Sequence, residues 1–448
     1  MTTPDQNPRS LAVTALMRIQ KGAYSNLQLN QTLDDAHLET RDANLLTNIV
    51  YGVIQHELTI DYQLKPFIKK PNKLQPWVKV LLETAIYQWQ YLERVPKRAI
   101  FNETINIAKV RGHEGIRRFV TGVLHQMDRT GLPDPAEITD RTQRWSIQYS
   151  VPEWLITTLI DQRGAEKTEA ILNVINQPAN QSVRVNRTRL TVAEATAQLT
   201  ADGYDVTPSA VSENGLVLHG KPANHSELFK RGDITIQDES AMLPAESMHV
   251  TANQEVLDAC AAPGGKTVQL AENVDESAGG QVTALDIHQH KVRLITQNAK
   301  RMGLSDRVDA LTLDARKVDD AFADGMFDQI LVDAPCSGIG LVRRKPEIRY
   351  EKQLRDSEAL AKIQLTILDA VANKVTINGI ITYSTCTILN QENRDVVAAF
   401  LADHPGFISQ RVQTANALKA DRESDYLEIY PDDYGSDGFF ISQFKRVR

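Results

Sequence analysis

The sequence of 448 residues contains only three cysteines, and no two of them have the spacing of a zinc-binding pair. Three cysteines cannot form a disulfide framework, so a small secreted scaffold held by disulfides is excluded. No stretch approaches the roughly 20 apolar residues of a membrane-spanning helix, and the first residues contain no apolar signal-peptide core. We therefore expect a cytoplasmic protein with reduced thiols and without a metal or a membrane as partner.

Acidic residues outnumber basic ones, giving a net charge of −7, but the charges are unevenly distributed. Residues 1–132 contain 17 basic and 12 acidic residues, and the segment 65–118 contains 12 and 4. Such a local basic excess is typical of a surface that binds a polyanion. A solvated helical face explains the same charges equally well, so charge alone does not decide between the two interpretations.

The length of the chain exceeds what one hydrophobic core usually organises, so several domains are expected. Residues 1–132 show apolar residues at helical spacing, interrupted by prolines, which predicts an all-α domain. A linker rich in proline and acidic residues follows at 131–140. Residues 141–235 mix helix and strand patterns and predict a small α+β module, whereas strands and helices alternate regularly over 236–448.

The alternation in the C-terminal segment predicts a Rossmann-like α/β domain, an open and mostly parallel sheet with helices on both faces. Such sheets bind ligands at the carboxyl ends of their strands, near the point where the strand order reverses. We therefore expect the functional residues directly after the predicted strands.

The first predicted strand of this segment leads into DACAAPGGKT, whose paired glycines let backbone approach a ligand closely. The spacing matches neither the dinucleotide fingerprint nor the P-loop. The next three strands end at Asp286, Asp314 and Asp333. An acid about 20 residues after such a loop binds ribose hydroxyls, so the row of acids predicts a nucleoside site without phosphate ligands. A tight turn and helix N-caps are the alternative reading of the same residues.

S-Adenosylmethionine fits such a site better than NAD or ATP, because its sulfonium is a cation that carboxylates attract. Two cysteines, Cys336 and Cys386, follow the fourth and fifth strands. A nitrogen methyltransferase needs no nucleophile, whereas methylation of C5 of a pyrimidine requires a thiolate that adds to C6. The two thiols therefore favour pyrimidine C5 methylation. We interpret Cys260, inside the glycine-rich loop, as a buried packing residue.

The motifs DACAAPGGKT, DAPCSGIG and YSTCT, in this order, resemble those of RNA cytosine-C5 methyltransferases of the NOL1/NOP2/Sun type. The resemblance covers about 236–448. It implies that Cys386 attacks the base, that Cys336 assists product release and that Asp333 also touches the base. It further implies that the cofactor is held by the glycine-rich loop and three acids, namely Cys260, Ala261, Ala262, Pro263, Gly264, Gly265, Lys266, Asp286, Asp314 and Asp333.

The N-terminal segments RVPKRAIFNETINIAKV and RRFVTGVLHQM resemble the antitermination factor NusB, an all-helical RNA-binding fold. The combined chain is similar to bacterial 16S rRNA cytosine-C5 methyltransferases. This resemblance implies that 16S rRNA, free or in an early small-subunit particle, is the partner, and we expect a monomer. Two alternatives stay open: an enzyme that acts on tRNA or another RNA, and a non-catalytic RNA-binding assembly factor. The second is disfavoured because no thiol, acid or glycine of the site is missing.

Overall fold

The computed structural model describes residues 7–448, so the first six residues of the predicted N-terminal domain lie outside the described part. Contacts within the chain group it into two compact units. The first unit contains the residues up to Thr157 together with Arg349–Glu351, and the second contains all the others. The second unit thus includes most of the predicted α+β module and nearly all of the predicted Rossmann-like domain. The predicted domain boundaries stay predictions.

The described part of the first unit is helical and contains no strand. Its helices are α1 (Pro8–Ile19), α2 (Ser25–Ala36), α3 (Thr40–Gln55), α4 (Glu57–Leu64), α5 (Pro76–Tyr91), α6 (Lys97–Arg111), α7 (Glu114–Thr130) and α8 (Arg141–Tyr149). The apolar faces of α1 to α7 form one core, in which α5 is buried over most of its length. A ninth helical segment, α9 (Glu153–Val174), is interrupted by non-helical backbone at Gly164. It begins in this unit and ends in the second.

Prolines mark where several of these helices begin and end. Pro76 is the first residue of α5, a position whose N–H has no partner within a helix, so the missing donor costs little. Pro96 is the N-cap of α6, and Pro66 and Pro71 lie in single 3₁₀ turns between α4 and α5. The predicted breaks between helices are therefore confirmed.

The second unit contains a small antiparallel sheet, which confirms the predicted α+β texture. Its elements are β1 (Gln181–Val185), α10 (Val192–Ala201), β2 (Asp205–Pro208), β3 (Gly215–His219), α11 (Glu227–Arg231) and β4 (Ile234–Ile236). The strand order is β2-β3-β1-β4. The sequence pattern does not predict β4, because three residues are too few to show an alternation of apolar and polar side chains.

The rest of the second unit is built on a larger sheet that alternates with helices, as predicted. Its elements are α12 (Glu239–Glu246), β5 (Glu255–Asp258), α13 (Gly265–Ala271), β6 (Gln281–Asp286), α14 (Gln289–Met302), β7 (Val308–Thr312), β8 (Phe327–Asp333), α15 (Ile348–Glu351), α16 (Leu354–Ala372), β9 (Val375–Thr385), α17 (Arg394–Asp403), β10 (Phe407–Gln410), β11 (Leu427–Ile429), α18 (Pro431–Tyr434) and β12 (Phe439–Arg446). Of the short helix α15, the last three residues belong to the first unit.

The strand order of the larger sheet is β10-β12-β9-β8-β5-β6-β7, and β11 pairs with β12. The strands β5 to β9 run parallel, whereas β12 is antiparallel to its neighbours. From β5 the chain moves outward to β6 and β7 and then returns to β8 on the other side of β5. The strand order therefore reverses between β5 and β8, where such sheets open a ligand crevice.

The central strand β8 is buried on both faces, which explains why its consecutive residues Ile330, Leu331 and Val332 are all apolar. Ile330 and Val332 belong to one core cluster, and Leu331, which points to the opposite face, belongs to another. Burial on both faces fixes the position of the strand, and with it the position of the residues that follow its carboxyl end.

Candidate active site

The candidate residues lie at one edge of the larger sheet. The strands β5, β6 and β8 end at Asp258, Asp286 and Asp333, and Cys386 directly follows β9. Because the carboxyl ends of parallel strands share one edge, these side chains are brought to the same side of the domain. The reversal of strand order between β5 and β8 lies at the centre of this edge.

The glycine-rich loop between β5 and α13 depends on Gly264 for its shape. Gly264 has a φ of 103°, in the left-handed region that side chains other than hydrogen disfavour. A Cβ at this position would also lie 3.0 Å from Ile295 Cα, closer than real Cβ atoms usually pack. The loop therefore packs tightly on α14, and the peptide bond between Ala262 and Pro263 within it is cis.

A cavity of about 180 Å³ lies between this loop, the end of β8 and the segment after β4. Seven of its lining residues belong to the predicted site, namely Cys260, Ala261, Ala262, Pro263, Gly265, Lys266 and Asp333. Four further residues line the cavity: Asp258, the first residue of the motif DACAAPGGKT, and Ile236, Gln237 and Ala241, which no motif indicated. Gln237 is held in place because its Oε1 accepts a hydrogen bond from Arg184 Nε at 2.9 Å. The small sheet thus contributes a wall of the cavity, which no short motif reveals.

Asp258 is a buried carboxyl group beneath the cavity. Its Oδ2 accepts a hydrogen bond from Thr267 Oγ1 at 2.7 Å, so it joins the end of β5 to the first turn of α13. Burial, as the largest cause, raises the pKa of this carboxyl to about 7. The acid is indicated by the motif DACAAPGGKT, but only its contact with Thr267 shows that it supports the loop from below.

Asp286 and Asp314, the other two predicted acids, do not line this cavity. Asp286 Oδ1 accepts a hydrogen bond from His288 N at 2.8 Å, and Asp314 forms an ion pair with Arg316 at 2.7 Å. Hydrogen bonding to Arg316 lowers the pKa of Asp314. Both carboxylates nevertheless lie close enough to the glycine-rich loop to act, after burial and together with the two other acids, in raising the pKa of the Cys260 thiol. All four acids therefore lie close enough to the glycine-rich loop for their charges to act on it.

The two thiols predicted to act together are in contact. Cys336 Sγ lies 3.0 Å from Cys386 Sγ, and the backbone N–H of Cys386 donates to Cys336 Sγ at 3.3 Å. The cause is the parallel pairing of β8 and β9, in which Asp333 is opposite Ser384, so that both chains leave the sheet side by side. The hydrogen bond with Cys386, followed by burial, raises the pKa of Cys336 well above its ordinary value.

Lys266 and Asp333 form an ion pair beside the thiols. Lys266 Nζ lies 2.7 Å from Asp333 Oδ2, and Ser384 Oγ donates to Asp333 Oδ1 at 2.8 Å. Lys266 Nζ also lies 5.0 Å from the centre of the Phe439 ring. Burial, the largest single cause, lowers the pKa of Lys266, but the charge and hydrogen bond of Asp333, together with the negative charges of Cys386 and Asp258, outweigh burial and raise this pKa. The site therefore contains a fixed ammonium group that interacts electrostatically with Cys386.

Within residues 7–448 no cluster of three or more histidine, cysteine or acidic side chains has the geometry to hold a metal ion. In the same part of the chain no helix is both long and apolar enough to cross a bilayer. The described site thus offers thiols, carboxylates and one ammonium group as its reactive side chains.

Three family models match successive parts of the chain. A model described as 16S rRNA methyltransferase RsmB/F matches residues 245–445, and the NusB family model matches residues 6–129. Between them, the ferredoxin-like domain of RsmF/B-like methyltransferases matches residues 151–224. These matches confirm the resemblance predicted from the motifs, including its order of a helical, a small α+β and a methyltransferase domain.

Curated relatives match over nearly the whole chain. The probable ribosomal RNA small subunit methyltransferase B of Bacillus subtilis (strain 168) is 41% identical over 442 residues, which cover 98% of each protein. The ribosomal RNA small subunit methyltransferase B of Vibrio cholerae is 32% identical over 442 residues, which cover 97% of this chain and 96% of the relative.

Solved structures share the fold. The crystal structure of the protein PH0851 superposes with a TM-score of 0.82 at 23% identity and covers 100% of both chains. The structure of NSun6 from Pyrococcus horikoshii with SFG superposes with a TM-score of 0.57 at 19% identity, covering 66% of this chain and 98% of that one. At these identities the similarity shows a common fold.

Proposed function

The chain belongs to the RsmB/F family of 16S rRNA methyltransferases, and from this premise we propose that it methylates C5 of a cytosine in 16S rRNA through a covalent bond between Cys386 and C6 of the base. The observation that carries the proposal is the contact between the Cys336 and Cys386 thiols beside the Lys266–Asp333 ion pair. A methyltransferase that acts on nitrogen has no need of two thiols at this place.

The family uses S-adenosylmethionine, which when bound supplies a methyl group on a positively charged sulfur. The site fits this group, because Gly265 lines the cavity with bare backbone, where a Cβ would project towards Gln237 in the cavity wall, and four acids surround the loop. In our proposal the residues from Cys260 to Lys266 contact the cofactor, Asp286 accepts from the ribose hydroxyls and Asp314 lies near the adenine.

The first step is attack on the base. C5 of cytosine is a poor nucleophile, and a thiolate that adds to C6 gives C5 the character of a carbanion. In our proposal Cys386 releases its thiol proton to solvent, and the Lys266 ammonium group stabilises the thiolate. The Cys386 sulfur then bonds to C6, and C5 accepts the methyl group. In our proposal Asp333 accepts a hydrogen bond from the cytosine amino group.

The second step releases the product. The C5 proton must leave, so that the electrons of the C5–H bond restore the double bond to C6 while the C6–S bond breaks and Cys386 departs as a thiolate. We assign removal of this proton to the Cys336 sulfur. Contact with Cys386 is the largest cause of the raised pKa of Cys336. Once Cys386 is bonded to carbon that cause is removed, so Cys336 ionises more readily when a base is required.

A basic groove in the first unit supports RNA as the partner. The groove has a volume of about 740 Å³ and lies between the 65–75 segment and α7. Its rim includes the lysine cluster, which comprises Lys69, Lys70 and Lys73 and forms no ion pair within the described residues. The exposed ring of Phe119 lines the same groove. Unpaired ammonium groups beside an aromatic ring suit a single-stranded RNA segment, whose phosphates and bases they contact.

Mapping of 5-methylcytosine tests the proposal. 16S rRNA from cells that lack the gene should lose methylation at a cytosine, and the parental gene should restore it. A gene that encodes Cys386→Ala should not restore it. Restoration by Cys386→Ala would contradict the covalent mechanism. Loss of a methyl mark from tRNA, with 16S rRNA unchanged, would instead favour the alternative substrate.

A further inference from the structure

A buried carboxylate that takes no part in the steps above holds the loop that contains Cys336. Glu392 is fully buried, and its Oε2 accepts hydrogen bonds from Ser337 N at 2.8 Å and from Gln364 Nε2 at 3.1 Å. Its Oε1 accepts a third hydrogen bond from Ser357 Oγ at 2.7 Å. Burying a carboxylate is costly unless its oxygens are satisfied, and here donors from two other segments satisfy it.

The backbone is held on both sides of Cys336. After the thiol, Ser337 donates its N–H to Glu392 and its Oγ–H to Thr387 Oγ1 at 2.9 Å. Before the thiol, the Pro335 carbonyl accepts a hydrogen bond from Gln364 Nε2 at 3.0 Å. Because Gln364 also donates to Glu392, removal of the carboxylate should weaken the contacts both before and after Cys336.

The neighbouring residue holds the other thiol in the same way. Asn393 Oδ1 accepts a hydrogen bond from Thr385 Oγ1 at 2.6 Å, and Asn393 Nδ2 donates to the Thr387 carbonyl at 3.0 Å. Thr385 and Thr387 are the residues on either side of Cys386. Two consecutive buried residues thus hold the backbone around two thiols that are fifty positions apart in the chain.

We propose that Glu392 is a positioning residue of the two-thiol reaction, whose carboxylate anchors the Cys336 loop so that this thiol stays in contact with Cys386. The inference rests on the function proposed above, since it assigns Glu392 a role within that mechanism. Without the anchor, the separation of the two sulfurs is no longer fixed. Misplacement of a reacting group by about 1 Å costs on the order of 100-fold in rate.

The charge of Glu392 acts on the pKa of Cys336, which can be measured without RNA. The ionisable groups that face Cys336 are Cys386, Glu392 and Tyr383. The hydrogen bond with Cys386 is the largest cause of the raised pKa of Cys336, burial is the second, and the charge of Glu392 acts in the same direction. Glu392→Gln removes the charge, but its amide retains an oxygen acceptor for Ser337 and an N–H for Ser357. The pKa of Cys336 should therefore fall in this variant.

The first experiment measures the reaction of Cys336 with iodoacetamide between pH 6 and pH 10, by mass spectrometry of the cysteine-containing peptide. The starting protein is full-length Cys386→Ser, which keeps a hydrogen-bonding partner for Cys336. Adding Glu392→Gln should move the profile to lower pH and raise the rate at pH 8 about three- to tenfold, because one pKa unit is a tenfold change in thiolate. The matched control is Glu239→Gln, a buried carboxyl group that contacts Ser209 instead of the thiol loops, and it should leave the profile unchanged.

The second experiment measures multiple-turnover methylation, with RNA in excess, by Glu392→Ala, which removes the anchor as well as the charge; multiple turnover is needed because Cys336 acts in product release. The rate should fall about 100-fold while the dissociation constant of S-adenosylmethionine stays within about twofold of the parent. An unmoved alkylation profile in Glu392→Gln, or a parental methylation rate in Glu392→Ala, would overturn the inference. If the alanine variant does not fold, the alkylation profile alone decides. Failure of the proposed function is a separate result, since it appears as methylation by Cys386→Ala.

Discussion

Replacement of Cys336 by alanine tests the assignment of the release step. Cys336 Sγ lies 3.0 Å from Cys386 Sγ, so it is placed beside a base that is bonded to Cys386. The variant Cys336→Ala removes the proposed proton acceptor and leaves Cys386, Lys266 and Asp333 in place. Attack at C6 and methylation at C5 should therefore proceed, whereas loss of the C5 proton, and with it the departure of Cys386, should slow.

The expected size of the effect follows from the loss of a general base, which typically contributes 100- to 10,000-fold. If methylation and release have similar rates in the parent, about half of the enzyme is covalently bound to RNA during turnover. Slowing release by about 100-fold raises that share to about 99%. Cys336→Ala should consequently accumulate as a protein–RNA adduct, which requires excess RNA and S-adenosylmethionine.

The adduct is measured as a shifted band on a denaturing gel, with single-turnover methylation followed in parallel. The double variant Cys336→Ala/Cys386→Ala should show no band, since the attacking thiol is absent. Cys260→Ala is the matched control, because it removes the third thiol, which lies in the glycine-rich loop, and it should not accumulate adduct. If Cys336→Ala gives no shifted band while its single-turnover methylation stays normal, Cys336 has no part in release.

Three further outcomes are expected. Cys386→Ala should abolish methyl transfer, measured with a tritiated donor, and keep cofactor affinity near the parental value in calorimetry; near-normal turnover would refute its role as nucleophile. Asp286→Ala should weaken S-adenosylmethionine binding by about tenfold or more, because an unpaired ribose diol costs about 1–3 kcal/mol, and should leave RNA affinity unchanged; an unchanged dissociation constant would reduce Asp286 to a turn-forming residue. Reversing the lysine cluster to glutamate should lower the salt dependence of RNA binding by about 2 in log–log slope, at about 0.7 per phosphate. The matched control reverses the exposed Lys21, Arg41 and Lys109 instead, and equal effects of the two triple variants would place the RNA elsewhere.

The sequence predicts the parts of this fold whose signal is local. The segment FDQILVD is recognisable as β8 because consecutive apolar residues, Ile330 to Val332, indicate a strand buried on both faces, and the prolines at the starts of α5 and α6 identify helix boundaries. The strands β4 and β11 are not predicted, since each has three residues and its register depends on the neighbouring strand. Which strands pair across long stretches of sequence cannot be seen in a local sequence pattern.

At the candidate site, too, local features could be predicted from the sequence, whereas contacts between distant segments could not. The prediction that both thiols follow strand ends came from the sequence, and parallel pairing of β8 with β9 accounts for their contact. The contribution of Gln237 to the cavity could not be predicted, because it is set by packing between the small sheet and the larger one. The hydrogen bonds of Glu392 with Ser337 and Ser357 could not be predicted either, since these partners are 55 and 35 positions away in the sequence.

The antiparallel strand β12 has a consequence for the order in which the enzyme is completed during synthesis. It follows every other strand of the larger sheet in the chain, yet it lies inside the sheet, between β9 and β10. Because it runs antiparallel, its first residue, Phe439, arrives at the edge where Lys266 and the thiols lie. A growing chain therefore contains both thiols and the cofactor loop before it contains the strand that closes the sheet beside them. The part of the sheet beside the thiols is therefore completed last, by a strand that reaches it from the opposite direction.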